Sequence, residues 1–139
     1  MQPSPDRDAT VRTRRRRLLA AAVLVILAGL AVHVLGSGPV ADFTGDALYA
    51  VMIYLVIAAV FARAACWVIG AVAVVVCTLI ELFQLTGIPA GWAEAFWPVR
   101  LVLGAGFDAR DLIAYAVGAI TATVCDLVLR RRSPAPRAG

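Results

Sequence analysis

The chain has 139 residues, 62% of them hydrophobic, with a formal net charge of +4. Soluble domains carry roughly 45–50% apolar residues, so this composition excludes an ordinary water-soluble fold and leaves room for one membrane domain only. All 13 basic residues are Arg. Six of them (Arg7, Arg12 and Arg14 to Arg17) precede the first apolar run and four (Arg130, Arg131, Arg132, Arg137) follow the last.

In chain order, residues 1–17 form a basic tail, polar and with two Pro, and residues 1–13 are expected to be disordered. The first apolar segment runs from Leu18 to about Gly36, broken only by His33. The next three run Asp46–Ala62, Ala64–Leu85 and Asp111–Leu129, followed by a basic tail at 131–139. Each is close to the ~20 residues a helix needs to cross a bilayer, and too long for barrel strands. The fold class is therefore all-α integral membrane, with a four-helix domain over 18–130. No convincing small-residue cleavage site follows the first segment, so a removed signal peptide is not expected.

Arginine sets the expected topology. Both Arg-rich termini and the tight turn carrying Arg63 fall on one side after four crossings, which assigns them to the cytoplasm of a bacterial inner membrane. Arg-rich tails can bind nucleic acid, but tails abutting apolar spans read as topology signals and anionic-lipid contacts, so the expected partners are membrane lipids. The connection at 37–45 and the longer one at 86–110 then face outward. The latter contains Trp92, Trp97, Pro89 and Pro98. It is too apolar for water and too broken to span, and reads as a re-entrant or interfacial element.

The polar residues inside the spans share one depth. At about 1.5 Å per residue from the cytoplasmic ends, His33 lies roughly 22 Å up, Asp46 roughly 24 Å, Glu81 roughly 25 Å and Asp111 roughly 27 Å. Charges in hydrocarbon cost about 2.5–3.5 kcal/mol even on the mildest scale, so they read as one outward polar layer. Glu81 and Gln84 share a face at i, i+3, and so do Asp46, Ala50 and Tyr54. On the last segment Asp111, Tyr115, Gly118, Ala122 and Cys125 follow one face. Asp126, four residues before Arg130, reads as half of a helix-end ion pair. Cys66, Cys77 and Cys125 read as small packing residues.

Arg100 is the candidate anion ligand, since its guanidinium binds phosphate or carboxylate bidentately; a purely structural role would pair it with Glu81 or Asp111. Asp108 and Asp111, at i, i+3, could share a proton. No Ser–His or Cys–His pair and no Gly-rich phosphate loop is present, Thr44-Gly45-Asp46 is only a fragment of an aspartyl protease pattern, and a single His makes a zinc site untenable. No enzyme activity, cofactor or metal is expected.

Gly45-Asp46, Tyr54, Glu81-Leu-Phe-Gln84, Arg100, Leu103-Gly104, Phe107, Asp111-Leu-Ile-Ala-Tyr115 and Gly118 occur in that order over about residues 18–130. In this the chain resembles the small bacterial membrane family catalogued as domain of unknown function 2809. It is more distantly similar to VanZ-like glycopeptide-resistance proteins, which share the order of Glu81, Gln84, Arg100 and Asp111 but carry an Asn after the Asp where this chain has Tyr115. The resemblance implies a multi-helix envelope protein and no established reaction. Three functions fit: binding of a lipid or envelope-precursor headgroup, with Arg100, Glu81, Gln84, Asp111, Asp46, Tyr115 and His33 as the site; a proton-coupled transporter or flippase component titrating Glu81 and Asp111, which would need a homo-oligomer to form a pathway; or a structural ion-pair network.

Overall fold

The computed structural model describes residues 5–104 and 106–132, with side chains from Ala9 onward. The rest of the two basic tails, including Arg137, lies outside the described residues. The described chain is helical, without a strand: α1 Pro5–Leu35, α2 Pro39–Val60, α3 Cys66–Gln84, α4 Ile88–Ala95, α5 Pro98–Leu103 and α6 Ala109–Arg132. Four helices are long and apolar enough to cross a membrane, over Ala9–Leu35, Pro39–Val60, Cys66–Gln84 and Ala109–Arg132.

Two expected boundaries move. The first helix starts at Pro5, so residues 5–13 are not disordered. Pro is well placed there, because the first turn has no intrahelical use for its missing N–H. The second helix starts at Pro39 and absorbs most of the expected 37–45 connection. Gly38 takes the left-handed φ of 82° that turns the chain into it, Asp42 sits in its first turn, and Thr44 Oγ1 donates back to the Val40 carbonyl at 2.7 Å. Asp46 is thus two turns inside α2 rather than at its beginning.

Helix α2 is the hub. It packs against α1, α3 and α6, and α3 packs against α6, whereas α1 packs on α2 alone. Small residues make this possible. The buried faces are Ala50, Tyr54, Ala58 and Ala59 on α2; Cys66, Ile69, Gly70, Ala73, Cys77, Glu81 and Gln84 on α3; and Ala114, Tyr115, Gly118, Ala119, Ala122 and Asp126 on α6. Helices without large interface side chains approach closely, which is how membrane helices gain packing energy when lipid is as apolar as their own flanks. The expected stripe on α6 is correct as far as Ala122. It then continues to Asp126, while Cys125 faces outward and is exposed. Large apolar side chains such as Leu24, Trp67, Val75 and Ile120 stay exposed on the outside, which suits a lipid-facing surface.

The tightest crossing is α2 on α6. A Cβ at Gly118 would collide with the Ala47 carbonyl oxygen and lie 3.0 Å from its carbon. Because the obstacle is backbone and cannot rotate away, Gly118→Ala is expected to cost about 1–3 kcal/mol, read as a lowered melting temperature in detergent, while Gly106→Ala, with nothing near it, leaves melting unchanged.

The 86–110 connection folds as the two short helices α4 and α5, which pack on each other and on the end of α3. Gly87 enters α4 with φ 72°, Pro89 is buried, and Trp92 stacks at a tilt on Phe83 with centroids 5.9 Å apart.

Candidate functional site

The bundle has two polar ends. At the acidic end, Glu81 of α3 is completely buried. Its Oε1 accepts the Asp108 backbone N–H at 2.7 Å, and its Oε2 accepts the Tyr115 hydroxyl at 3.1 Å. A buried carboxylate needs such donors, since an unsatisfied one is far more costly than a neutral polar group. Asp108 in turn caps α6: its Oδ1 accepts the Arg110 N–H at 2.9 Å and its carbonyl the Asp111 N–H at 3.0 Å, as a favoured N-cap residue does. Glu81 therefore fixes the start of α6 through the cap residue.

Above Glu81, one turn along α3, Gln84 Nε2 donates to the Leu103 carbonyl at 2.7 Å, and Tyr49 of α2 donates its hydroxyl to the Val102 carbonyl at 2.7 Å. These are two of the carbonyls that a helix end leaves without intrahelical partners. Two long helices thus grip the C-terminus of α5. Gly104, at φ 70°, lets the chain leave α5, and a Cβ there would lie 2.5 Å from Gln84 Nε2. The other amide atom, Gln84 Oε1, is buried with no hydrogen-bond partner among the described residues.

The remaining acids meet across α2 and α6. The side chains of Asp46 and Asp111 lie close to each other, with Glu81 nearby. Asp108 and Asp111, which the spacing would allow to share a proton, play separate parts: Asp108 is the exposed helix cap, and Asp111 lies beside Asp46. Tyr115 borders all three acids and tilts against Tyr49 at 6.2 Å.

Asp46, Glu81, Gln84, Asp111 and Tyr115 are therefore brought together. Two predicted members are not. His33 is exposed on α1, whose packing is against α2, and among the described residues it bonds to none of these groups. Arg100 is exposed on α5, and among the described residues the ion pairs run only to Asp126. The anticipated Arg100–Glu81 or Arg100–Asp111 pair is absent there. Tyr49 was missed, although it lies three residues, hence one turn, from Asp46.

At the basic end, Asp126 does far more than pair with Arg130. Its carboxylate accepts from Arg14 of α1 at 2.8 Å, Arg130 of α6 at 3.1 Å, the Tyr54 hydroxyl of α2 at 2.9 Å and the Cys66 thiol of α3 at 3.5 Å. All four long helices meet on one side chain. Tyr54, which shares a sequence face with Asp46, belongs to this end. The arginines also tie down the junction of α2 and α3: Arg15 Nε donates to the Ala59 carbonyl in the last turn of α2 at 3.0 Å, and Arg14 and Arg130 donate to the carbonyls of Ala62 and Ala64 in the turn that follows, Arg130 at 2.8 Å. Cations at a helix C-terminus match its orphan carbonyls and its dipole.

These features define the class: an all-helical, multi-pass membrane protein with a layer of carboxyls around buried Glu81 at one end and an arginine–aspartate lock at the other. Residues 35–119 match the family described as protein of unknown function (DUF2809), and the chain belongs to that family. The match holds the whole carboxyl layer and Arg100 but leaves out His33, Arg14 and Asp126. No curated protein and no solved structure matches the chain, and the more distant similarity to VanZ-like proteins is not borne out.

Proposed function

We propose that the acidic end binds the anionic headgroup of a lipid or cell-envelope precursor, and that Arg100 is the residue that contacts the anion. The observation that carries this reading is the way Arg100 is mounted. Its guanidinium is exposed and takes no carboxylate partner among the described residues, while Gln84 and Tyr49 clamp the helix that bears it. An unneutralised guanidinium on an anchored helix is suited to phosphate, because less backbone ordering is left to do on binding. Exposed Phe96 and Trp97 precede it, and Trp favours the membrane–water interface. The buried polar side chains then act through structure: Glu81 sets α6, and Gln84 sets α5. The Arg-rich opposite end supports a cytoplasmic position for both termini, with Arg100 at the outer leaflet of a bacterial inner membrane.

The proximity of Asp46 to Asp111 favours a second reading, in which this pair carries a proton during coupled transport. One preparation separates the two. Protein in phosphatidylcholine nanodiscs doped with a polyprenyl phosphate is released into a native mass spectrometer beside Arg100→Gln, and reconstituted vesicles are assayed for pH-dependent flux. Headgroup binding is expected to give a polyprenyl phosphate adduct reduced about tenfold in Arg100→Gln, with melting unchanged because the side chain is exposed. An adduct retained by the variant overturns the role of Arg100. No adduct, with flux lost in Asp111→Asn, replaces this reading with the second.

A further inference from the structure

Exposed apolar side chains gather at the acidic end of the bundle, outside the four spans. Helix α3 has 19 residues, about 28 Å at 1.5 Å per residue. That is close to the ~30 Å of hydrocarbon in a bilayer, so the chain reaches the membrane boundary near Gln84. Leu82 and Leu85 are exposed there, and the apolar surface resumes at Ile88 as soon as Gly87 has turned the chain into α4. Exposed Ile88 and Trp92 lie one turn apart on one side of α4. Phe96 and Trp97 form the corner before α5 and are 63% and 69% exposed. Glu94 lies about 200° round the helix from Trp92. This is no loose loop: Trp92 stacks on Phe83, α4 and α5 pack on each other, and Gln84 and Tyr49 hold the end of α5.

We infer that α4 and the Phe96–Trp97 corner are an interfacial anchor, lying in the headgroup–acyl boundary of the leaflet at the acidic end, with lipid as the partner. A helix with one apolar side lies in the plane of that boundary with the side sunk about 5–10 Å, and Trp rings, apolar with one polar edge, favour the same level. The run from Leu82 and Leu85 onto Ile88 selects lipid over a soluble protein, because the surface carries on from the flank of a span. A re-entrant path does not fit. Broken backbone inside the hydrocarbon must be covered by protein or line a wet cavity, whereas Phe96, Trp97 and the charged Glu94 and Arg100 are all exposed. The anchor sets the depth of α5, and stands whether or not Arg100 takes an anion.

Fluorescence quenching tests it. Of the three tryptophans, Trp67 and one other are replaced by Phe, leaving Trp97 or Trp92 alone. Each protein is reconstituted in phosphatidylcholine vesicles whose lipid carries bromine either near the headgroup or near the chain ends. The remaining tryptophan is expected to lose most of its emission to shallow bromine, and little to deep bromine or to acrylamide in the water. Strongest quenching by deep bromine would overturn the anchor in favour of a re-entrant path. Quenching by acrylamide alone would overturn it by placing the corner in water, and quenching by none of the three would mean that protein, such as a second copy of the chain, covers it. A second measurement needs no substitution: phosphatidylcholine with a photoactivated diazirine beside its headgroup is expected to label residues 88–97 of the parent, and labelling confined to the spans would overturn the anchor. Arg100→Gln is expected to change neither readout, which separates failure of the anion site from failure of the anchor.

Discussion

Replacing Asp126 with Ala is expected to destabilise the protein by about 3 kcal/mol, the low end of what breaking a buried ion pair costs. Arg14 and Arg130 keep 21% and 29% of their side-chain exposure, so water relieves part of the loss. Tyr54 and Cys66 have no such relief, being buried with their donors aimed at the missing carboxylate. Equilibrium unfolding in mixed micelles measures the difference. Asp126→Asn keeps an acceptor oxygen but no charge, and is expected to fall between the parent and the alanine variant. An Asp126→Ala protein within about 0.5 kcal/mol of the parent, the range of ordinary surface substitutions, would show that the four-helix meeting point contributes nothing to stability.

Glu81→Leu is expected to cost a similar amount, about 2–4 kcal/mol, by leaving two buried donors without an acceptor. The loss has a local signature that Asp126 lacks. The Asp108 N–H and the Tyr115 hydroxyl both come from the α6 side of the site, so hydrogen exchange should accelerate in the first turns of α6 while the Tyr54 end stays protected. Glu81→Gln offers an oxygen to Asp108 and an amide to the tyrosine oxygen, and is expected to recover most of the stability. If Glu81→Leu leaves exchange in α6 unchanged, Glu81 does not hold that helix.

Hydropathy made the four spans legible, along with the common depth of Asp46, Glu81 and Asp111. A run of ~20 apolar residues has few other physical solutions, and a carboxylate inside one stands out. Rotation was legible only where small residues marked a face, as with Gly118 and Ala122 on α6. Partners were harder to see. Asp111 could be matched to Asp108 by sequence distance, but the acid it meets is on another helix, and an N-cap role occupies Asp108. Asp126 looked like an i, i+4 partner of Arg130 because that spacing is visible along one chain. Its contacts with Arg14, Tyr54 and Cys66 depend on how α1, α2 and α3 pack. A trace of the lock was nevertheless present: Arg14, Leu18 and Ala22 repeat every four residues, and Leu18 and Ala22 are the buried positions of α1. The helical start at Pro5 was obscured because a polar, charged stretch reads as disorder, and the arginines that bind carbonyls, Arg14 and Arg15, lie just beyond it.

The peripheral position of α1 has a consequence for how the chain comes together during synthesis. Helices α1 and α2 are made first and already form a complete antiparallel hairpin, closed by Arg14 and Arg15 on the end of α2. Helix α3 adds to α2 and brings the Cys66 thiol beside the Tyr54 hydroxyl. Until α6 is made, those two groups and the Arg14 guanidinium surround a socket of donors with no acceptor, and α3 lacks the donors that satisfy Glu81. The last span completes both ends at once, Asp126 filling one socket and Asp108 with Tyr115 filling the other. Assembly is thus checked by polar groups at its final step, and a chain stalled before α6 carries two unsatisfied sites that mark it as unfinished.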